Sequence, residues 1–312
     1  MEGTKVSILG TGRVGSTLAY TLVARGSCSS IVMVDIAKEL AIGETMDIDQ
    51  SIPFLNETRV QAGGYEDIVD SDIVVVTLGR ARKPGQTRLE LAQGNVDIIK
   101  EVMPVAAKYA PNACYIIVSN PVDILTYTAL KVTQLSPNQV IGSGTLLDSA
   151  RLKTVIANQL NVASNNIHGY VLGEHGDTSF VPWSMFRMGG MTIEEIFKAE
   201  SRTEELSLAG IEEEVRKAGA NVISRKGATN YAIASAVNYL CLCILNNTKN
   251  IVPVSTILNG EYGINDVCLS LPCILSNKGV DRKLLVVLNE EEQAKMQLSA
   301  NALKEILAEV NI

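Results

Sequence analysis

Lys5 to Gly15 reads KVSILGTGRVG, an apolar strand-like run passing directly into a turn with glycines at Gly10, Gly12 and Gly15. A helical pattern follows from about Ser16, and a second strand-like run, SIVMVD, ends at Asp35, twenty residues beyond Gly15. Strand, glycine turn, helix and an acid closing the next strand form a context with a physical reading. The glycines permit a tight turn, let backbone approach a pyrophosphate, and let helix pack on strand. The helix N-terminus adds N–H donors and a favourable dipole. Asp35 is expected to accept hydrogen bonds from a ribose and to repel a 2′-phosphate, so the cofactor expected is NAD rather than NADP.

Working outward, DIVVVTLG and CYIIVSN continue an alternation of short β-rich runs with helical patterns. Strands apolar on both faces belong in a parallel sheet covered by helices. The fold class expected is α/β: a Rossmann doubly wound parallel sheet over residues 1–142, then a mixed α+β substrate and catalytic domain over 143–312. The boundary is put near Ile141–Ser143, where strand-like residues give way to a long helical pattern. Helical segments are expected near 148–160, 204–223 and 229–246. At the end, Met296, Ala300, Leu303, Leu307 and Val310 line one helical face, which is expected to dock on the body of the protein.

Composition narrows the function. The 312 residues carry a formal net charge of -7 and are 46% hydrophobic, which suits a globular chain able to bury a sizeable core. An acidic balance without a basic tail argues against nucleic acid. No apolar run approaches the roughly 18 residues of a membrane helix, and a strand begins almost at the N-terminus, so a soluble cytoplasmic protein is expected. Six cysteines without CxxC spacing, and only two histidines, support neither a disulfide framework nor a metal site. The cysteines read as small buried hydrophobes.

One of the two histidines lies in Leu172-Gly173-Glu174-His175-Gly176-Asp177, an apolar run turning into a glycine-flanked loop. Upstream, Asp148 and Arg151 stand three apart, on one helical face. His175 as acid/base, Asp148 as its orienting carboxylate and arginines for an anion would make a reaction centre for a 2-hydroxy acid and its keto partner. Taken singly, Asp148 and Arg151 also fit a plain helix ion pair, and His175 a core residue. Their occurrence together with the nucleotide turn is what favours chemistry.

The segments GTGRVG, ARKPGQTR, VSNPVD, GSGTLLDSAR, LGEHGDT and KGATNYAIA, in this order, make the chain similar to the L-lactate/malate dehydrogenase family along essentially its whole length. The resemblance implies that His175 exchanges a proton with the substrate oxygen and that Asp148 fixes its tautomer. It implies that Arg151 holds the substrate carboxylate as a bidentate fork. Arg88, on a mobile substrate loop over about 79–90, would polarise the carbonyl when the loop closes. Asn120 and Ser143 would place the nicotinamide, and Thr229 and Ile233 would wall the pocket. A homotetramer, or at least a dimer, is implied as well.

The loop also bears on substrate. Six residues before Arg88, lactate dehydrogenases generally have glutamine and malate dehydrogenases arginine, and this chain has Arg82. A guanidinium closed against the substrate favours oxaloacetate, whose second carboxylate pairs with it, over pyruvate. The surroundings, including Thr229, resemble the lactate branch. The expectation is therefore a lactate-type frame with malate preferred, with lactate or dual specificity as the alternative. Lys153 and His168 match, the first only in charge, the positions that bind fructose 1,6-bisphosphate in activated bacterial relatives, so an effector anion site is a further expectation. A non-catalytic NAD-binding sensor is the rival from another class.

Overall fold

A computed structural model describes residues 3–80, 87–199 and 207–312, apart from the side chain of Arg88. The runs read as strands become β1 (Lys5–Leu9), β2 (Ser30–Val34), β4 (Ile73–Val76) and β5 (Cys114–Ile117), joined by β3 (Arg59–Ala62) and β6 (Val140–Gly142). These pair in parallel in the order β3-β2-β1-β4-β5-β6. IVVV in β4 and CYII in β5 are buried at every position, as strands sandwiched between helices must be.

The helices are α1 (Arg13–Arg25), α2 (Lys38–Ser51), α3 (Arg88–Tyr109) and α4 (Val122–Val132), followed by α5 (Leu146–Leu160), α6 (Ile193–Ala199), α7 (Leu208–Lys226), α8 (Tyr231–Leu245) and α9 (Glu290–Glu309). Helix α1 begins at Arg13, earlier than the expected Ser16, because Gly12 already serves as its N-cap. Of the stretch expected to be a loop over 79–90, Thr87 and Glu90 form a capping box and the chain is helical from Arg88. Residues 81–86, Arg82 among them, lie outside the described residues, as do 200–206, the last three of which fall in the run expected to be helical over 204–223.

The helix-rich second half also contains long strands that its composition did not announce. A short pair, β7 (Ile167–His168) and β8 (Arg187–Met188), precedes β9 (Ile251–Asn259), β10 (Asn265–Ser276) and β11 (Gly279–Lys283). The last three are antiparallel and join the main sheet where Gly142 of β6 faces Ser255 of β9. One nine-stranded sheet therefore crosses the expected boundary at 142/143. The principal core follows this sheet, and a smaller one, including Leu152, Ile167, Phe186 and Val215, lies under α5, α6 and α7. Met296, Ala300 and Leu303 are buried as expected, while Leu307 is half-buried and Val310 falls just past the end of α9.

The cysteines are buried, and burial pushes the thiols of Cys28, Cys114 and Cys273 up to about 12. Among the described residues, no group of histidine, cysteine, aspartate and glutamate could hold a metal ion, and no helix is long and apolar enough to cross a membrane.

Candidate active site

The parallel sheet reverses its direction of winding at β1 and β4, and in open sheets of this kind ligands bind beyond the C-terminal ends of the strands at such a point. Gly10 has φ of 100°, and a Cβ there would lie 2.8 Å from the backbone nitrogen of Leu78. At Gly15 a Cβ would lie 1.9 Å from the Gly10 carbonyl oxygen, so only glycine lets α1 sit this close to β1. Above Gly12, by contrast, a Cβ would meet nothing within 4 Å, and no side chain caps the first turn of α1. The first-turn N–H groups thus border open space, the cradle a pyrophosphate requires.

Asp35 braces this turn. Its Oδ2 accepts from Thr11 N at 2.6 Å and from Thr11 Oγ1 at 3.1 Å, and its Oδ1 accepts from Ala37 N at 2.9 Å. Asp35 also lines a cavity of about 190 Å³ together with Ala41, Ile42 and Ala62. Asp35 therefore stands between the glycine turn and this cavity.

A cavity of about 330 Å³ lies where the two halves of the chain meet. Asn120 and Ser143 line it from the ends of the parallel strands, Asp148 and Arg151 from α5, and His175 from the loop after Leu172. Thr229 and Ile233 close it near the start of α8. The fold thus brings seven of the residues named from the sequence to one space. The loop bearing His175 is held on the sheet, because Gly173 bridges to Ser270 of β10 while Leu172 bridges to Phe180.

Asp148 resolves the choice between a helix ion pair and an orienting carboxylate by being both. Its Oδ1 accepts from the Arg151 guanidinium at 2.8 Å, and its Oδ2 lies 2.5 Å from His175 Nδ1. Burial alone would push the Asp148 carboxyl up, but His175 and Arg151 hold it below the usual carboxylate range. An ionised carboxylate only accepts hydrogen bonds, so Nδ1 carries a proton and Nε2 is left to exchange one. Burial opposes the His175 imidazolium, yet the charge and hydrogen bond of Asp148, with Asp123 adding, hold it above its ordinary value. Such a group can hold a proton and release it again.

Arg88 is the first residue of α3, whose N-terminus Thr87 caps. Asn95 of α3 links Arg80 to the cavity wall: its Oδ1 accepts from Arg80 N at 2.8 Å and its Nδ2 donates to the Asn120 carbonyl at 2.7 Å. Lys153 and His168 do not line the cavity; Lys153 is half-buried on α5 and His168 is exposed on β7. The lining residues that escaped the sequence reading include Arg216, Gly219 and Ser179. Arg216 donates to Glu212 at 3.2 Å and to the Ser179 carbonyl at 3.2 Å. In the sequence they were indistinguishable from an amphipathic helix surface and a loop serine.

A dinucleotide turn feeding a cavity in which an imidazole, its carboxylate and a guanidinium converge defines an NAD-dependent oxidoreductase. Residues 4–142 match the lactate/malate dehydrogenase NAD binding domain, and residues 145–311 match the lactate/malate dehydrogenase alpha/beta C-terminal domain. The chain belongs to the lactate/malate dehydrogenase family. It is 42% identical to the L-lactate dehydrogenase of Thermoanaerobacterium saccharolyticum over 309 residues, 99% of each chain. With the L-lactate dehydrogenase of Lacticaseibacillus casei it is 38% identical over 305 residues, covering 98% of this chain and 94% of that one. Among solved structures, the minor L-lactate dehydrogenase from Enterococcus mundtii superposes with a TM-score of 0.95 at 35% identity, covering 99% of both chains. These names favour lactate over the malate preference expected from Arg82.

Proposed function

We propose that the protein is an NAD-dependent L-lactate dehydrogenase that interconverts pyruvate and L-lactate. The observation that carries the proposal is the single Asp148 carboxylate joined at once to His175 Nδ1 and to Arg151, at the cavity that Asn120 and Ser143 also line. The nicotinamide cofactor, when bound, supplies or receives the hydride. Residues Gly10, Gly12 and Gly15 fit its pyrophosphate and Asp35 its ribose, with Asn120 and Ser143 positioning the nicotinamide. Arg151 holds the substrate carboxylate, one edge of its guanidinium being anchored by Asp148. In reduction, protonated His175 gives its Nε2 proton to the carbonyl oxygen, and Asp148 stabilises the imidazolium until then. In oxidation, neutral His175 takes the hydroxyl proton. Arg88 polarises the carbonyl oxygen, and Thr229 and Ile233 limit the space beside the substrate.

Arg82 favours a second reading, in which oxaloacetate and malate are also turned over, because its guanidinium would pair with a second carboxylate. The test mixes purified protein with NADH and either pyruvate or oxaloacetate and follows the absorbance of the reduced nicotinamide. A higher kcat/KM for pyruvate supports the lactate reading, and a higher value for oxaloacetate supports the malate one. Binding of NADH without turnover of either acid would make the protein a sensor instead. The proposal extends to a cytoplasmic homotetramer or dimer, which light scattering would test for assembly. It extends also to fructose 1,6-bisphosphate at Lys153 and His168. That site requires a lowered pyruvate KM on adding the effector, abolished in Lys153→Ala.

A further inference from the structure

The Asp123 carboxyl lies outside the chemistry assigned above, yet it is buried and touches the same histidine. Asp123 sits in the first turn of α4, three residues after Asn120, and is 3% exposed. Its Oδ2 accepts from the backbone N–H of His175 at 2.8 Å, and its Oδ1 accepts from Ser255 Oγ of β9 at 2.5 Å. The preceding N–H, that of Glu174, donates to Ser299 Oγ of α9 at 3.3 Å. Two consecutive amides of the His175 loop are therefore satisfied by side chains from remote elements, not by the loop itself.

We propose that Asp123 is a positioning residue for His175: its carboxylate, braced by Ser255, ties the backbone of the acid/base residue to the element that carries Asn120. The inference rests on the acid/base reading of His175 and deepens it. One short rigid segment would then set both the cofactor-side wall and the proton donor, whose relative placement decides how well hydride and proton transfer coincide. A carboxylate accepts both hydrogen bonds as they stand, one at each oxygen. Asparagine would accept at one oxygen and turn its amide donor toward Ser255, whose hydroxyl would have to reverse, and it carries no charge.

Charge makes the role measurable. The groups facing His175 are Asp148 and Arg151 of α5, Asp123 of α4, Arg216 of α7, and Glu174 and Asp177 of its own loop. Burial pushes the Asp123 carboxyl up to about 6, against the hydrogen bonds of Ser255 and His175, so it is mostly anionic at neutral pH. That anion supports the imidazolium alongside Asp148. Removing it should lower the pH at which His175 gives up its proton.

The chain has only two histidines, so two imidazole signals can be followed by NMR in the full-length protein, without any turnover. In Asp123→Asn the His175 titration should move to lower pH. The same variant should bind NADH as the parent does and lose on the order of 10- to 100-fold in kcat. Ser255→Ala, which keeps the charge and removes the brace, should lose kcat severalfold in the same direction. A His175 titration unmoved in a folded Asp123→Asn protein overturns the proposal, whatever happens to kcat. If Asp123→Asn does not fold, Ser255→Ala decides, and parental kcat in that variant overturns the positioning role. A parent that binds NADH but reduces neither keto acid would instead overturn the dehydrogenase reading, and the titration would still decide whether Asp123 supports His175.

Discussion

Asp148 Oδ2 and His175 Nδ1 lie 2.5 Å apart, although the residues are 27 positions apart in the chain and come from a helix and a loop. The carboxylate holds the imidazole in one orientation and supports its proton against burial. Keto acid reduction needs that proton on the enzyme. Its kcat/KM should therefore hold at pH below the raised His175 value and fall as pH rises through it, while oxidation of the hydroxy acid shows the opposite limb. In Asp148→Asn the reduction limb should move to lower pH, and each unit moved lowers the protonated fraction above it by about tenfold. A pH profile of kcat/KM for parent and variant checks the direction.

His175→Asn should lower turnover by about 10²- to 10⁴-fold, the usual contribution of a positioned acid/base. Binding of NADH, followed by its fluorescence, should persist, because the glycine turn and Asp35 lie in the parallel half of the sheet.

Asp35→Ala should weaken NADH binding about tenfold or more, since hydrogen bonds to a charged acceptor contribute about 1.5–3 kcal/mol each. It should also narrow the gap between NADH and NADPH, because the charge that repels a 2′-phosphate is gone. Thr11 N loses its 2.6 Å acceptor as well, so part of the loss comes through the turn itself. Titrations with both cofactors separate the two contributions: a general loosening weakens both, whereas ribose recognition changes their ratio.

Gly219 faces Arg151 from α7, and a Cβ there would lie 3.3 Å from a guanidinium nitrogen. Gly219→Ala should stabilise the helix by about 0.5–1 kcal/mol, because glycine is costly inside a helix. The methyl group narrows the cavity beside the substrate carboxylate. KM should rise severalfold for 2-keto acids with longer side chains and less for pyruvate. Thermal melting together with a short substrate series tests both halves.

Arg82→Gln should shift the ratio of kcat/KM values toward pyruvate and away from oxaloacetate. The substitution removes a charge that only a dicarboxylate satisfies. Measuring both acids on both proteins at one pH and salt gives the change as a difference of free energies. An unchanged ratio would mean that Arg82 does not meet the substrate.

The nucleotide half was legible because its signals are local. GTGRVG, the apolar runs around it and Asp35 lie within 31 residues, and each strand declares itself by being apolar on both faces. His175, Asp148 and Arg151 could be named as types and spacings, and the family segments supplied their roles. Composition could not reveal β9, β10 and β11, because strands that pair antiparallel and pack under helices carry no periodicity that separates them from buried helix. The short VSNPVD segment shows the limit most clearly. Asp123 in it reads as an ordinary acid at a helix start, where acids are common. Only the tertiary fold brings it against the backbone of His175, 52 positions later, and against Ser255, 132 positions later. Contacts of that range depend on how sheet and helices close around one another, which no local pattern encodes. The sequence alone thus determined which chemical groups were present and how the nucleotide turn is built. Tertiary structure decided which of those groups share a carboxylate, which amides of the His175 loop are held, and from which sides the cavity is walled.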